Sequence, residues 1–203
     1  MDWGIIVNSL PELLSGLVVT VEITALAVVL GLCLAVPLSV LRLHRHPLVW
    51  MPVYGFIFFF RGTPLLVQLF LVYYGSGQFV DALRAVGLWT FFSEAFFCGV
   101  LTLMLNTAAY TAEILRGAIQ GVPYGEVEAA RACGMRGVLL YRRIVMPIAF
   151  RLAWPAYTNE VIFLLQASSL VSIITLMDIT GVASKIAVRS FAFYELYLTA
   201  AVR

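Results

Sequence analysis

The sequence predicts an all-α protein, a polytopic bundle of transmembrane helices. Of the 203 residues, 62% are hydrophobic and only 12% are charged, and the mean hydropathy is +0.97. These values lie outside the range of ordinary soluble domains and are typical of an integral membrane protein. The apolar runs continue from end to end without a polar linker, so we expect one domain over residues 1–203 in a lipid bilayer. Nothing in the charge pattern indicates a nucleic-acid partner.

Five apolar runs are the expected membrane spans. A bilayer core of about 30 Å requires about 20 residues of helix. Four runs are long enough, and they cover residues 16–41, 48–74, 91–115 and 153–177. The fifth starts near Phe191 and reaches only Arg203. We therefore expect that the chain is cut inside its last helix, the alternative being a segment that lies at the interface.

Basic residues cluster after the first and the third span. RLHRH occupies residues 42–46, and six arginines follow the third span: Arg116, Arg131, Arg136, Arg142, Arg143 and Arg151. Short cytoplasmic loops carry an excess of lysine and arginine, so both loops are predicted to be cytoplasmic. The N-terminus and the loops at 75–90 and 178–190 then face outward.

The charged loop at about 117–150 is predicted to contain a short cytoplasmic helix. Pro123 suits a first helical position, Glu126 and Glu128 fall in the first turn, and Gly134 can end the helix in a left-handed conformation. A second short helix at 136–146 is expected to end before Pro147.

One side of the first of these helices is expected to be nearly free of side-chain bulk. Ala129 and Cys133 lie four residues apart, as do Ala130 and Gly134. Such a face can enter a groove on a partner, the alternative being an amphipathic connector that rests on lipid headgroups.

The spacing of six residues in this loop carries a resemblance to a known family. It resembles the E-A-A loop of ABC importer permeases at Glu128, Ala129, Ala130, Gly134, Ile144 and Pro147, with Met146 where that family usually has leucine. The similarity extends to FRGTPLLVQLFLVYYG at 60–75, LNTAAYTAEILRGAI at 105–119 and YTNEVIFLLQASSLVSIITLMD at 157–178. Together these segments resemble the polar amino-acid permeases, above all the arginine, histidine and opine members.

The resemblance implies a type I ABC importer permease fold with a cytoplasmic coupling helix, in a bacterial inner membrane. It implies that the loop seats in a cleft on a cytoplasmic ABC ATPase, present in two copies, which binds ATP and Mg. A second permease, identical or homologous, and an extracytoplasmic substrate-binding protein are the other implied partners. The chain has no G-x-x-x-x-G-K-[ST] loop, so we do not expect it to be an enzyme or to hold a cofactor of its own.

Ionisable residues inside the spans are candidates for the substrate pathway. Burying such a group at mid-bilayer costs about 2.5 to 3.5 kcal/mol, so each should face a partner or a watery cavity. Glu94 and Glu113 lie near span ends and can snorkel, which leaves Glu22, Arg61 and Glu160 as the better candidates.

The RGTP sequence at 61–64 is expected to interrupt the second span. With Thr63 as the cap and Pro64 at the first helical position, the restarted helix would present free backbone N–H groups to a cavity. Arg61 and Thr63 are therefore predicted to stabilise the substrate carboxylate. The alternative is a structural kink in which Arg61 pairs with Glu22 or Glu160.

Two polar stripes complete the predicted pathway. One holds Asn106, Tyr110 and Glu113, and the other holds Asn159, Glu160, Gln166, Ser168 and Ser169. Such stripes also serve as contacts between helices, and that alternative stays open. Acids outnumber bases among the charges inside the spans, which favours a cationic or strongly polar substrate such as arginine, histidine, lysine or an opine. The cysteines have no metal-ligand spacing, and no metal site is predicted.

Two other classes of protein compete with this interpretation. A stand-alone ion-coupled carrier or channel would use the arginine-rich loop only for orientation, and a carrier should usually show an internal repeat, which is not clear here. An intramembrane enzyme would need a motif such as H-E-x-x-H or G-x-S-x-G, and the sequence contains neither.

Overall fold

Every regular element of the computed structural model, which describes residues 3–201, is helical, and the all-α prediction is confirmed. The helices are α1 (Trp3–Arg42), α2 (Pro47–Gly62), α3 (Leu65–Ser76), α4 (Val80–Ala85), α5 (Trp89–Phe92), α6 (Ala95–Gln120), α7 (Tyr124–Ala132), α8 (Gly137–Leu140), α9 (Met146–Ala167), α10 (Ile179–Ser190) and α11 (Phe193–Ala201). Short 3-10 helices lie at Gly77–Phe79 and Ser168–Ile174, and a π-helical turn lies at Tyr141–Val145.

The four full apolar runs fall on the long helical stretches. Within the described residues, three stretches are long and apolar enough to cross a membrane: Gly4–Arg42, Ala95–Gln120 and Gly137–Ile174. A fourth is formed if α2 and the helices after its break count as one span. The last helix, α11, is described up to Ala201, so the predicted cut at Arg203 lies outside the described residues.

The connection predicted at 178–190 is not an irregular loop, because this segment forms α10, and its outward orientation stays a prediction. Asp178 caps the helix, since its Oδ1 accepts a hydrogen bond of 2.9 Å from the Gly181 N–H. The buried apolar residues of α10 recur at helical spacing and are Ile179, Val182, Ala183 and Ala187. A search for membrane-length runs overlooks such a helix because only one of its faces is apolar. The 75–90 loop likewise contains the short helices α4 and α5.

The chain divides into two compact units. The first unit comprises residues up to Val28, Thr63–Met104 and residues from Phe163 onward, and the second comprises Val29–Gly62 and Leu105–Ile162. Two clusters form the core of the first unit, one around Ile23, Leu69, Leu103 and Ile174 and one around Leu13, Ala183 and Leu196. Two clusters also form the core of the second, one around Ile57, Ala109 and Leu115 and one around Ile119, Leu140 and Val145. The single domain over 1–203 stays a prediction.

A close backbone contact in the first unit brings α1 against the start of α10. A Cβ atom added to Gly16 would lie 2.9 Å from the Ile179 Cα and 3.0 Å from the Asp178 carbonyl oxygen. One turn later, the Thr20 hydroxyl donates to the Gly16 carbonyl at 3.0 Å and accepts from the Ile179 N–H at 3.1 Å. The atoms that crowd Gly16 belong to the backbone, so a side-chain rotation cannot make room there.

We expect Gly16→Ala to lower the stability of the chain by about 1 to 3 kcal/mol, the usual cost of overpacking a rigid contact. The matched control is Gly55→Ala in α2, where nothing lies within 4 Å of the added methyl group. Because alanine favours a helix over glycine by up to about 1 kcal/mol, the control should be neutral or stabilising. Thermal unfolding of the purified protein in detergent measures both, and a Gly16→Ala variant as stable as the wild type would contradict the close packing.

Candidate functional site

The predicted interruption of the second span is confirmed, because α2 ends at Gly62 and α3 begins at Leu65. The predicted capping roles are wrong. Pro64 itself occupies the cap position, with φ −62° and ψ 136°, and no side chain caps α3. Thr63 instead bonds to Gln68, whose Nε2 donates to the Thr63 carbonyl at 3.0 Å and to its hydroxyl at 2.8 Å. The Gln68 side chain therefore satisfies polar groups that the interruption exposes.

The C-terminal end of α2 receives its own hydrogen-bond donors from α6. The Phe60 carbonyl would ordinarily accept from the N–H of residue 64, but Pro64 has none. Asn106 supplies the donor, and its Nδ2 lies 3.2 Å from the Phe60 oxygen. One turn further along α6, the Tyr110 hydroxyl lies 3.5 Å from the Arg61 carbonyl oxygen. Asn106, predicted as a pathway residue, thus has a structural role at the end of α2.

Arg61 lies exposed beside a cleft in the second unit. Its guanidinium carbon lies 5.1 Å from the centre of the Tyr110 ring, within the range of a cation–π contact. The cleft has a volume of about 340 Å³ and is lined by Tyr54, Ile57, Phe58, Arg61, Gly62, Tyr110 and Glu113. Its lining therefore includes one cation and one anion among aromatic and aliphatic side chains.

Glu113 belongs to an ion-pair network. Its Oε2 lies 2.8 Å from the Arg116 Nε, and its Oε1 lies 3.6 Å from the Arg42 Nε. The Arg42 guanidinium also packs over the rings of Tyr54, at 4.6 Å, and Trp50, at 5.3 Å. The expectation that Glu113 snorkels gave it no partner, whereas the structure pairs its carboxylate with two arginines. Most of the charge of Glu113 is therefore compensated within the chain.

Glu160 is half-buried in the second unit. The Thr107 side chain is placed to hydrogen-bond to its carboxylate, and Arg61 is the cation that acts on it. The ion pairs within 4.0 Å among residues 3–201 both involve Glu113, so Arg61 acts on Glu160 through space rather than by direct contact. The kink stabilised by a direct Arg61–Glu160 pair is therefore not what the structure contains.

The remaining predicted pathway residues fall into two groups. Ser168 and Ser169 use their hydroxyls within their own helix, because they donate to the carbonyls of Leu165 at 2.7 Å and Gln166 at 2.8 Å. Three others are exposed on the chain: Glu22, Asn159 and Gln166. The two serines are therefore engaged with the backbone, whereas Glu22 and Asn159 are exposed on the surface of the chain.

The charged loop contains the predicted short helix, α7. Pro123 is its cap rather than its first residue, with φ −56° and ψ 130°. At the other end, Gly134 has a φ of +83°, which confirms the left-handed conformation. The Met135 N–H bonds to the Ala130 carbonyl at 3.0 Å and the Gly134 N–H to the Arg131 carbonyl at 2.9 Å, the pattern of a Schellman motif. Local hydrogen bonds therefore fix the end of α7.

The two alanines of the E-A-A motif face in different directions. Ala130 is only 5% exposed and packs with Ile119, Leu140, Val145 and Ala149, with Ile144 partly buried beside them. The predicted small face through Ala130 is therefore wrong, because that side of α7 covers the chain's own core. The exposed small residues of α7 and its cap are Gly125, Ala129, Ala132 and Cys133, which we call the outward small face. Glu128, Gly134 and Pro147 are exposed as well.

The helix predicted at 136–146 does not end before Pro147. After α8, the π-helical turn at Tyr141–Val145 runs directly into α9, which includes Pro147 as its second residue. Proline in an α-helix collides with the carbonyl four residues earlier. In the π-helical turn the Met146 N–H bonds instead to the Tyr141 carbonyl, five residues back, and this wider turn accommodates the proline ring.

Three side chains that shape these regions were not among the predicted site residues: Gln68, Thr107 and Asp178. Asp178 had a usable signal, because it precedes apolar residues at helical spacing and so marks a helix start. Gln68 and Thr107 show in the sequence only as polar residues in apolar runs. No group of three or more His, Cys, Asp or Glu side chains in the described residues 3–201 is arranged to hold a metal ion.

A membrane-length helix bundle that exposes a short helix on a charged loop is the architecture of a transport permease. Residues 8–202 match the family of binding-protein-dependent transport system inner membrane components, and the chain belongs to that family. It is 46% identical over 200 residues to the nopaline transport system permease protein NocM of Agrobacterium fabrum, covering 98% of this chain and 83% of the relative.

A second relative and a solved structure agree with this family. The histidine/lysine/arginine/ornithine transport system permease protein HisM of Escherichia coli is 40% identical over 189 residues, covering 93% of this chain and 79% of the relative. The fold is similar to the crystal structure of an amino acid ABC transporter with histidines, with a TM-score of 0.84 and 34% identity, over 100% of this chain and 90% of that one. The chain thus has the type I ABC permease fold.

The family decides between the competing classes. The chain is a permease subunit of an ABC importer in the inner membrane and is not itself an enzyme. In this family a separate ATPase subunit binds the nucleotide. A stand-alone carrier and an intramembrane enzyme are therefore excluded.

Asn106→Leu tests the capping of the interrupted helix. The change keeps the side-chain size but removes the donor to the Phe60 carbonyl in a nearly buried position, so we expect a loss of about 1 to 3 kcal/mol of stability. Asn159→Leu is the matched control, because Asn159 is exposed and its replacement should change stability by less than about 0.5 kcal/mol. Thermal unfolding in detergent compares the two, and equal stabilities would show that the Asn106 bond contributes nothing.

Proposed function

We propose that this permease subunit translocates a cationic or strongly polar amino acid or amino-acid derivative, such as arginine, histidine, lysine or an opine. Relatives that are named for the transport of nopaline and of histidine, lysine, arginine and ornithine support this class. The excess of acids among the charges inside the spans also favours a cationic substrate, since Glu22 and Glu160 have no direct arginine partner within 4.0 Å in the described part of the chain.

The outward small face of α7 is the observation that carries the proposed coupling mechanism. Glu128, Ala129, Ala130, Gly134, Ile144 and Pro147 are the proposed coupling residues, and they divide into two roles. Ala130 and Ile144 anchor α7 to the chain's own core, while Ala129 and its small exposed neighbours enter a cleft on a cytoplasmic ABC ATPase. Because α7 is anchored through packed side chains, a movement of the ATPase displaces the core beneath it.

The proposed substrate pathway uses charged and polar side chains of this chain. Arg61 binds the substrate carboxylate at the cleft beside Tyr110, and Glu160, with Thr107 beside it, attracts the cationic group. Asn159, Gln166 and Glu22 are exposed and line the pathway in the assembled permease pair. Thr63, Asn106, Ser168 and Ser169 support it through their side-chain hydrogen bonds near the ends of the helices.

We further propose the topology and the assembly. The chain makes five spans as a single domain over residues 1–203, with the N-terminus outside and the basic loops at 42–46 and 117–150 in the cytoplasm, where lysine and arginine concentrate. A second permease, two ATPase copies that bind ATP and Mg, and an extracytoplasmic binding protein complete the importer.

Ala129→Trp tests the coupling helix. An indole on the outward small face adds bulk where a cleft must fit, and overpacking costs about 1 to 3 kcal/mol. We therefore expect uptake into proteoliposomes and co-purification of the ATPase to fall by about tenfold or more, since 1.4 kcal/mol corresponds to a factor of ten. The thermal stability of the chain itself should be unchanged, because Ala129 is exposed.

Two comparisons make this result specific. Tyr124→Trp places an indole on α7 at an exposed position outside the outward small face and should transport normally. A membrane-impermeant thiol reagent should label the exposed Cys133 only from the cytoplasmic side, in a Cys33→Ser background, and bound ATPase should protect it. Unimpaired uptake by Ala129→Trp would refute the proposed coupling. Labelling of Cys133 from the outside would refute the proposed topology.

Arg61→Met tests the carboxylate site. A hydrogen bond to a charged group contributes about 1.5 to 3 kcal/mol. At low substrate concentration we therefore expect uptake to fall by about tenfold to a hundredfold. Arg61→Lys should retain part of the uptake because it keeps the charge, and Arg45→Met, which removes an exposed arginine in the basic loop, should retain all of it. Wild-type uptake by a folded Arg61→Met complex would remove Arg61 from the pathway.

A further inference from the structure

An open apolar groove lies in the second unit between the C-terminal part of α1 and the segment that follows α7. It has a volume of about 420 Å³ and is lined by Val36, Val40, Val138, Tyr141, Arg142 and Met146. Pockets for small molecules have volumes of about 300 to 1,000 Å³ and combine apolar walls with a few polar groups that fix orientation. In this groove, Arg142 is the charged residue of the lining and Tyr141 supplies the hydroxyl.

The groove lies near one boundary of the first span. Val36 and Val40 occupy the last two turns of α1, which ends at Arg42 and is followed by the exposed His44, Arg45 and His46. A helix rises about 1.5 Å per residue, so the two valines lie within about 9 Å of Arg42 along the axis. This is the depth at which headgroups give way to acyl chains.

Arg142 brings a positive charge to the lining of the groove, and the described part of the chain does not compensate this charge. The segment 117–151 contains five arginines, Arg131, Arg136, Arg142, Arg143 and Arg151, against two acids, Glu126 and Glu128. In the described residues no acidic oxygen lies within 4.0 Å of any of the five, because both ion pairs there involve Glu113. Basic pockets beside membrane helices on the cytoplasmic side are typical sites for anionic lipid headgroups.

The π-helical turn shapes the groove. Tyr141 and Arg142 are the first two residues of this turn, and both are exposed. Insertion of one residue into a helix widens it and alters the direction of the side chains, and such turns occur often at functional sites. Val138, one turn earlier, is 83% exposed, so the apolar wall has no cover from the chain itself.

We propose that this groove binds one anionic phospholipid, with the phosphate at Arg142 and Tyr141 and an acyl chain along Val36, Val40, Val138 and Met146. The uncompensated charge and the apolar wall together match the two parts of such a lipid. A protein segment would have to bury Arg142 against an acid of its own, whereas the inner leaflet supplies the anion at the right depth. Because the groove adjoins the core that anchors α7, the bound lipid stabilises the coupling segment.

The test uses the complete importer that contains this chain, purified in detergent and titrated with phosphatidylglycerol or phosphatidylcholine. Native mass spectrometry counts the lipids that stay bound. We expect Arg142→Gln to weaken the binding of phosphatidylglycerol by about fivefold, the value of one arginine near an anionic surface. Arg143→Gln is the matched control, since Arg143 is the exposed neighbour that does not line the groove.

A second pair of variants tests the apolar wall. Val40→Trp fills the groove and should abolish tight phosphatidylglycerol binding, whereas Leu41→Trp, at the next and equally exposed position of α1, should not. Equal phosphatidylglycerol binding by Arg142→Gln and the wild type would overturn the proposal. So would a wild-type importer that retains phosphatidylcholine as well as it retains phosphatidylglycerol. Loss of a protein subunit from the Val40→Trp importer, with lipid binding intact, would overturn it in favour of a protein occupant. Lipid binding is measured without transport, so these outcomes are independent of the proposed substrate.

Discussion

The backbone cannot leave its polar groups unpaired inside a bilayer, and the interruption after α2 has a local remedy. At the end of α2, Pro64 removes an amide donor and Asn106 replaces it at the Phe60 carbonyl. At the following turn, Gln68 bonds to both oxygens of Thr63. Lipid offers no hydrogen bonds, so such breaks persist only where neighbouring side chains satisfy the freed groups. The freed backbone groups beside Pro64 therefore have partners within the chain.

The start of α10 follows the same rule with different chemistry. Thr175 adopts a left-handed conformation with a φ of 71°, and the chain then turns into the cap formed by Asp178. The Asp178 carboxylate accepts from the Gly181 N–H, and the Thr20 hydroxyl accepts from the Ile179 N–H. The close approach of the two helices at Gly16 brings the Thr20 hydroxyl within hydrogen-bonding distance of the Ile179 N–H. A small residue on one helix thus permits a hydrogen bond to the first turn of another.

Charged side chains in the membrane helices differ in whether they have an oppositely charged partner within the chain. Glu113 lies between Arg42 and Arg116, and Arg42 is further held by two aromatic rings, so these groups stabilise the second unit. Arg61 has an aromatic neighbour but no acidic oxygen within 4.0 Å in the described residues. An exposed charge of this kind depends on water, a ligand or another subunit. This difference, rather than the presence of charge in a span, is the reason that we propose Arg61 as a pathway residue.

The sequence by itself determined the all-α membrane class, three long apolar helical stretches, the interruption at Pro64 and the left-handed end of α7 at Gly134. Each depends on local chemistry: apolar length, the missing N–H of proline and the backbone freedom of glycine. The tertiary structure alone decided that Ala130 faces the core while Ala129 faces out, that Arg42 reaches Glu113, and that Asn106 serves the Phe60 carbonyl. These contacts join residues far apart in the chain, or depend on which face of a helix is covered. Adjacent alanines are identical in composition, and only packing against Ile119, Leu140 and Val145 distinguishes them.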